Sequence, residues 1–149
     1  MPRPVRFNAP WRPVPWTSHA GWFDGIGRDA SKVVLVIRKE QDGPAIGITQ
    51  LIDIHSVHRS AELTIRIGQD ADRGKGYGTQ ALKLALDFAR RDLNLHRVWL
   101  RVYATNERAI RAYAKAGLHQ EGVMRQAAWV DGAWVDEVLM ASLTEEFLN

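Results

Sequence analysis

The chain contains no cysteine. That excludes a disulfide framework, a zinc–thiolate centre and a cysteine nucleophile, and it fits a reducing cytosol. No apolar run approaches the roughly 20 residues that a membrane-crossing helix needs. Residues 1–16 hold five of the six prolines and three arginines, with no apolar core of the kind a secretion signal carries. A cytoplasmic protein without a membrane partner is therefore expected. Basic residues are missing from the C-terminal part: residues 126–149 contain no Lys or Arg and five Asp or Glu. Residues 59–125 show the opposite bias, with 13 basic and 7 acidic residues. A basic middle suits a polyanionic ligand, and the acidic tail is either a face for a cation or plain solvated surface. The six tryptophans and three tyrosines are scattered, with no basic-aromatic platform, so a nucleic-acid partner is not expected. What remains is ordinary: 149 residues, 46% hydrophobic and 25% charged, read as one domain over 1–149 with a single core.

Residues 1–30 read as an irregular or reduced N-terminal segment. Within it, Val5-Arg6-Phe7 suggests a short extended piece, and Thr17 or Ser18 caps a short helix through Ala20–Phe23 that Gly21 and Gly25 weaken. The β-branched run Val33–Arg38 predicts a buried strand, and Asp42-Gly43-Pro44 turns it into a second strand over Ala45–Ile52. After an irregular stretch from His55 to Ser60, Ala61–Gly68 predicts a third strand. A helix over 77–91, a strand over 97–103, a helix over 106–116 and a hairpin over 119–130 and 133–143 complete the chain. The hairpin turns at Asp131-Gly132. No internal repeat or domain boundary is present.

Between the third strand and the first long helix lies Arg73-Gly74-Lys75-Gly76-Tyr77-Gly78-Thr79. Alternating glycines at a strand-to-helix junction let backbone N–H groups converge on an anion, where the helix dipole also favours negative charge. Arg73 and Lys75 add positive charge. A Walker A loop does not fit, because no Ser or Thr follows Gly74-Lys75. A Rossmann fingerprint does not fit either, because its third glycine would fall on Thr79. The remaining alternative is a tight turn with no ligand.

Further along, Asn106 is a good helix N-cap, Glu107 and Lys115 complement the dipole, and Gly117 is a natural stop. Ile110, Tyr113, Ala114 and Gly117 are spaced to share one helix face. Together, Arg73-Gly74-Lys75-Gly76-Tyr77-Gly78 resembles the R/Q-x-x-G-x-G/A loop of the GNAT acetyltransferase superfamily. Asn106 to Leu118 is similar to the N-x-x-A-x-x-x-Y-x-K-x-G-F signature of its ribosomal-protein-alanine and spermidine branches, with Leu118 in place of Phe. The resemblance runs from about Ser31 to Glu146.

The resemblance implies an α/β (α+β) fold, the acyl-CoA N-acyltransferase fold. Its central mixed, mostly antiparallel sheet is flanked by helices, and here the N-terminus is shortened. It implies acetyl-CoA as acyl donor and direct transfer of an acetyl group to a primary amine, namely a protein N-terminus, a polyamine or another small amine. It implies no metal, and no His, Asp or Glu cluster stands at metal-ligand spacing. Residues 73–79 would hold the pyrophosphate. Ile65 and Ile67 would pair with the pantetheine arm, and Asn106 would hydrogen-bond it. Tyr113 would protonate the leaving thiolate; as a bare pattern it is equally a core aromatic. Glu62 would serve as base through water, or else pair with Arg66 or Arg101. His55 and His58 are surface residues or minor catalytic candidates. Trp129, Trp134, Asp131 and Asp136 line a cation pocket or merely pack and turn the hairpin. The short N-terminus leaves a sheet edge that a homodimer would cover. If it also removes the acceptor wall, the chain is a non-catalytic coenzyme A-binding module.

Overall fold

A computed structural model describes residues 13–148; the extended piece expected at residues 5–7 lies outside them. The elements run α1 (Trp16–Ile26), β1 (Val33–Arg38), β2 (Ala45–His55), β3 (Ser60–Ile67), α2 (Tyr77–Arg91), β4 (Arg97–Tyr103), α3 (Glu107–Lys115), β5 (His119–Val130) and β6 (Ala133–Leu143). A short 3-10 turn at Asp70–Asp72 lies between β3 and α2, and another at Thr144–Leu148 follows β6. One six-stranded sheet has the order β1-β2-β3-β4-β6-β5. Every neighbouring pair is antiparallel except β3–β4. None of the described helices is long and apolar enough to cross a membrane.

Sequence patterning explains which face carries the helices. On α2 the buried residues are Ala81, Leu82, Ala85, Leu86 and Ala89, a stripe at helical spacing. They meet alternate residues of the strands, Leu51, Leu63, Val98, Leu100, Val102, Val138 and Met140, in one core. α3 adds Ala109, Ile110 and Tyr113 to the same core. Ala114 points outward instead of joining this face, so the inward stripe of α3 is narrower than its spacing suggests.

Three boundaries depart from expectation. α1 runs over eleven residues from Trp16, with Pro15 at its N-cap and no side-chain cap, so neither Thr17 nor Ser18 starts it. None of its residues is buried. β2 continues to His55, past a bulge where Asp53 takes a φ of 50°. The bulge breaks the alternation that a strand reading relies on. Gly47 in β2 faces Ile67, and a Cβ there would stand 2.3 Å from the Arg66 carbonyl oxygen.

The parallel pair positions the site. β3 and β4 share only three rungs, Ser60 with Arg97, Ala61 with Val98 and Glu62 with Trp99, and then part. The Gly68 N–H bonds the Ile46 carbonyl of β2, and the Thr64 carbonyl accepts from the Thr49 hydroxyl, also on β2. By strand alternation, the backbone groups of Ile65 and Ile67 therefore point the other way, into the fork.

Candidate active site

The loop after β3 makes the cradle. Gly74 and Gly76 take φ values of 75° and 86°, in the left-handed region where only glycine is unstrained. Gly76 is the N-cap of α2 and contributes no side chain to cap it. The first N–H groups of α2 thus keep no side-chain partner and face outward with the positive end of the helix dipole. Arg73 donates to the Ile67 carbonyl at 3.2 Å, tying the loop to the end of β3. That carbonyl lies on the fork side.

α3 faces the cradle. The Asn106 Oδ1 accepts from the Ala109 N–H at 3.2 Å, so the cap forms while the amide nitrogen keeps its two donors. At the other end the Leu118 N–H bonds the Tyr113 carbonyl, and the Gly117 N–H bonds the Ala114 carbonyl, with Gly117 at φ 102°. These bonds close the helix in a Schellman motif, with buried Leu118 anchoring its end. They fix the backbone from which the Tyr113 ring descends between core and cavity.

A cavity of about 480 Å³ lies between these elements. Of the residues singled out from sequence, Ile65, Ile67, Arg73, Gly74, Gly76, Gly78, Thr79, Asn106 and Tyr113 line it. Lys75 and Tyr77 are not among the lining residues. Tyr77 packs instead beside Ile37, Ile46 and Ala81, under the Lys39 ammonium at 5.6 Å. Four cations not expected at the cavity, Arg66, Arg108, Arg111 and Lys115, also line it. The last three stand on α3 at i, i+3 and i+7, a spacing that was visible in the sequence. The one lining carboxylate, Asp72, is held by Lys39 at 2.5 Å, so it takes little from the positive potential of the cavity. No group of three or more His, Asp or Glu among the described residues is arranged to hold a metal ion.

Burial pushes the Tyr113 phenol up to a pKa of about 12, so it is fully protonated at neutral pH. Glu62 occupies the last rung of the β3–β4 pair, on the sheet face opposite the helices. It is nearly buried and accepts from the Arg101 guanidinium at 3.2 Å, and Glu137 approaches the same guanidinium at 3.8 Å. Glu62 does not line the cavity but stands where the fork opens.

The remaining candidates lie elsewhere. His55 and His58 stack at 4.2 Å in the β2–β3 turn, at the end of β3 away from the cradle, roughly 23 Å along the strand. Trp129 and Trp134 face each other across the β5–β6 hairpin, edge to face at 5.0 Å. The Asp136 carboxylate accepts from the Gln126 N–H, and Asp131-Gly132 form a turn with positive φ at both positions. These four residues shape the hairpin.

Comparison with known proteins gives this geometry a context. A model of the acetyltransferase (GNAT) domain matches residues 2–119. The spermidine N(1)-acetyltransferase of Escherichia coli K12 is 36% identical over 109 residues, covering 73% of this chain and 58% of that protein. The chain thus spans well under two thirds of that relative's length. The ribosomal protein uS5-alanine N-acetyltransferase of the same organism is 26% identical over 151 residues, covering 95% of this chain and 77% of that one. Among solved structures, spermidine N-acetyltransferase from Vibrio cholerae in complex with CoA and spermine superposes with a TM-score of 0.87. It is 29% identical, with 96% of this chain and 82% of that chain covered.

Proposed function

The chain belongs to the GNAT acetyltransferase family, and from that membership we propose that it is an acetyl-CoA-dependent N-acetyltransferase acting directly on a primary amine. The observation that carries the proposal is the cavity. Its cradle has two left-handed glycines and an uncapped helix N-terminus, its wall is a strand with backbone groups turned into a fork, and a protonated phenol stands inside. Coenzyme A is a polyanion with an arm of amide groups, and each of these features meets one part of it. The relatives named above act on spermidine and on a ribosomal protein's alanine, which supports a polyamine or protein N-terminal amine as acceptor.

When bound, acetyl-CoA supplies the acetyl thioester. The N–H groups of Tyr77, Gly78 and Thr79 hold its diphosphate, with Arg73 beside them. Ile65 and Ile67 offer N–H and C=O groups to the arm as an added strand would meet them, and Asn106 donates its free amide hydrogens. Tyr113 delivers a proton to the departing thiolate. A phenol of pKa about 12 is a weak acid in water, but the burial that raises it disfavours the thiolate anion in the same way. Glu62 draws the proton from the acceptor ammonium through water at the mouth of the fork. Its pairing with Arg101 favours a second reading, in which the chain binds coenzyme A without turnover.

We treat residues 1–149 as one catalytic unit and infer a homodimer, since no described strand pairs with the outer edge of β1. The test of function is thiol release from acetyl-CoA with a panel of amines, using wild type and Tyr113→Phe. Turnover on at least one amine, lowered roughly 10²- to 10⁴-fold in kcat by the substitution with acetyl-CoA affinity retained, supports catalysis. Tight acetyl-CoA binding with no turnover on any amine assigns the chain to the binding module instead.

A further inference from the structure

The roles assigned so far leave four cations on the cavity wall without a task, Arg66 on β3 and three on α3. Arg108, Arg111 and Lys115 fall at i, i+3 and i+7 along α3, so they form one edge of the helix, and all three line the cavity. Arg111 is engaged by Glu107 one turn earlier, at 3.4 Å. Neither Arg108 nor Lys115 has an anionic partner among the described residues. The Arg108 guanidinium stands at the rim of the cradle, 3.1 Å from where a Cβ on Gly74 would sit.

Cations of like sign held on one wall of a cavity repel one another, and nothing in the core needs them there. Their number is informative. The α2 N-terminus and Arg73 already suit the two negative charges of a diphosphate. On the α3 edge, Arg108 and Lys115 add two more positive charges that no carboxylate cancels; Arg66, likewise without an ionic partner among the described residues, stands on β3, away from this edge. Two charges match a phosphate monoester, which is close to a dianion at neutral pH. The two residues are separated by roughly 10 Å along the helix axis, a span that their long, flexible arms can close around one anion at the cavity mouth.

We propose that Arg108 and Lys115 bind the 3′-phosphate of coenzyme A and so make the protein selective for the 3′-phosphorylated cofactor over its dephospho form. This inference rests on the cofactor reading given above, and it adds a recognition element that the glycine loop does not provide. The loop reads a diphosphate, which both forms carry; only the α3 edge distinguishes them.

The experiment is calorimetric titration of the full chain with coenzyme A and with dephospho-coenzyme A, for wild type and the double variant Arg108→Gln/Lys115→Gln. Wild type is expected to bind coenzyme A roughly 10- to 100-fold more tightly than the dephospho form, the worth of one or two charge-assisted hydrogen bonds. In the double variant the preference falls to within about threefold, because coenzyme A binding weakens while dephospho-coenzyme A binding barely moves. Both side chains are exposed, and a melting curve checks that the variant is folded. A charge-preserving variant, Arg108→Lys/Lys115→Arg, restores most of the preference. Equal binding of the two ligands by wild type overturns this inference alone, as does a parallel loss of both ligands in the double variant. A wild type that binds neither ligand overturns the cofactor reading together with it.

Discussion

The cradle makes a prediction in which stability and binding separate. Gly76 has φ 86°, and a Cβ built on it meets nothing within 4 Å. In Gly76→Ala the protein therefore loses only the strain of a left-handed alanine, about 1–2 kcal/mol. For a chain of this size that lowers Tm by roughly 2–8 °C. Binding suffers more. The new methyl group stands at the cavity wall where the N–H groups of α2 must reach a phosphate oxygen. Loss of two such charge-assisted bonds, each about 1.5–3 kcal/mol, weakens acetyl-CoA by at least ~10²-fold. A control outside the cavity isolates the cause. Gly132 has φ 85° in the β5–β6 turn, so Gly132→Ala costs as much stability as Gly76→Ala and leaves binding intact. Differential scanning calorimetry and titration with acetyl-CoA read both quantities. Wild-type affinity in folded Gly76→Ala, or equal damage from Gly132→Ala, refutes a backbone-built phosphate cradle.

The pH profile follows from Tyr113. With a polyamine acceptor, raising pH from 7 to 10 removes the proton from an amine of pKa near 10 but not from a phenol at about 12. kcat/KM therefore rises about tenfold per pH unit and shows no descending limb below pH 10; a limb there that Tyr113→Phe abolishes contradicts this. Glu62→Gln lowers kcat by about 10²-fold, whereas stability falls by no more than ~1 kcal/mol, since Arg101 is half exposed and keeps Glu137. A kcat within threefold of wild type reduces Glu62 to a partner of Arg101. Gly47→Ala places a methyl 2.3 Å from a backbone oxygen and costs about 3 kcal/mol or more in chemical denaturation. A loss below about 1 kcal/mol means that β2 shifts freely against β3.

Much of the fold was legible because local signals agree along most of the chain. Glycine turns, β-branched runs and the Asn106 cap fix β1, α2, β4 and the β5–β6 hairpin at the expected residues. The failures have local causes. α1 buries nothing, so no apolar stripe marks its length, and a helix that starts after Pro15 without a side-chain cap leaves no polar signal. β2 was cut short because the bulge at Asp53 interrupts its period of two. In the site, the contiguous loop from Arg73 to Thr79 could be read directly. The pairing of Glu62 with Arg101 could be named only as one option among several, because it depends on the register of strands 39 residues apart. The α3 cations were visible as a spacing, but the surface they line is set by how α3 packs beside α2. That is a tertiary fact.

The fork ties these pieces together. A parallel pair buried in a sheet ordinarily continues for the length of its strands, since each unpaired backbone group in a dry environment costs about 1–3 kcal/mol. Here β3 and β4 separate after three rungs although both strands run on. Two things make the separation tolerable. Arg73 reaches back to the Ile67 carbonyl, and the cavity leaves the Ile65 groups open to solvent. β3 cannot close the gap by moving sideways, because that would break its antiparallel ladder with β2, which runs unbroken from Gly47 with Ile67 to Ile52 with Glu62. β4 is held on its other side by seven rungs with β6. The opening is therefore built into the sheet and does not depend on a ligand to create it. Glu62 and Arg101 stand on one side of this opening, and Tyr113 and the cradle stand on the other. A donor held by the helices and an acceptor arriving on the far face of the sheet would meet at the single place where the sheet lets them through.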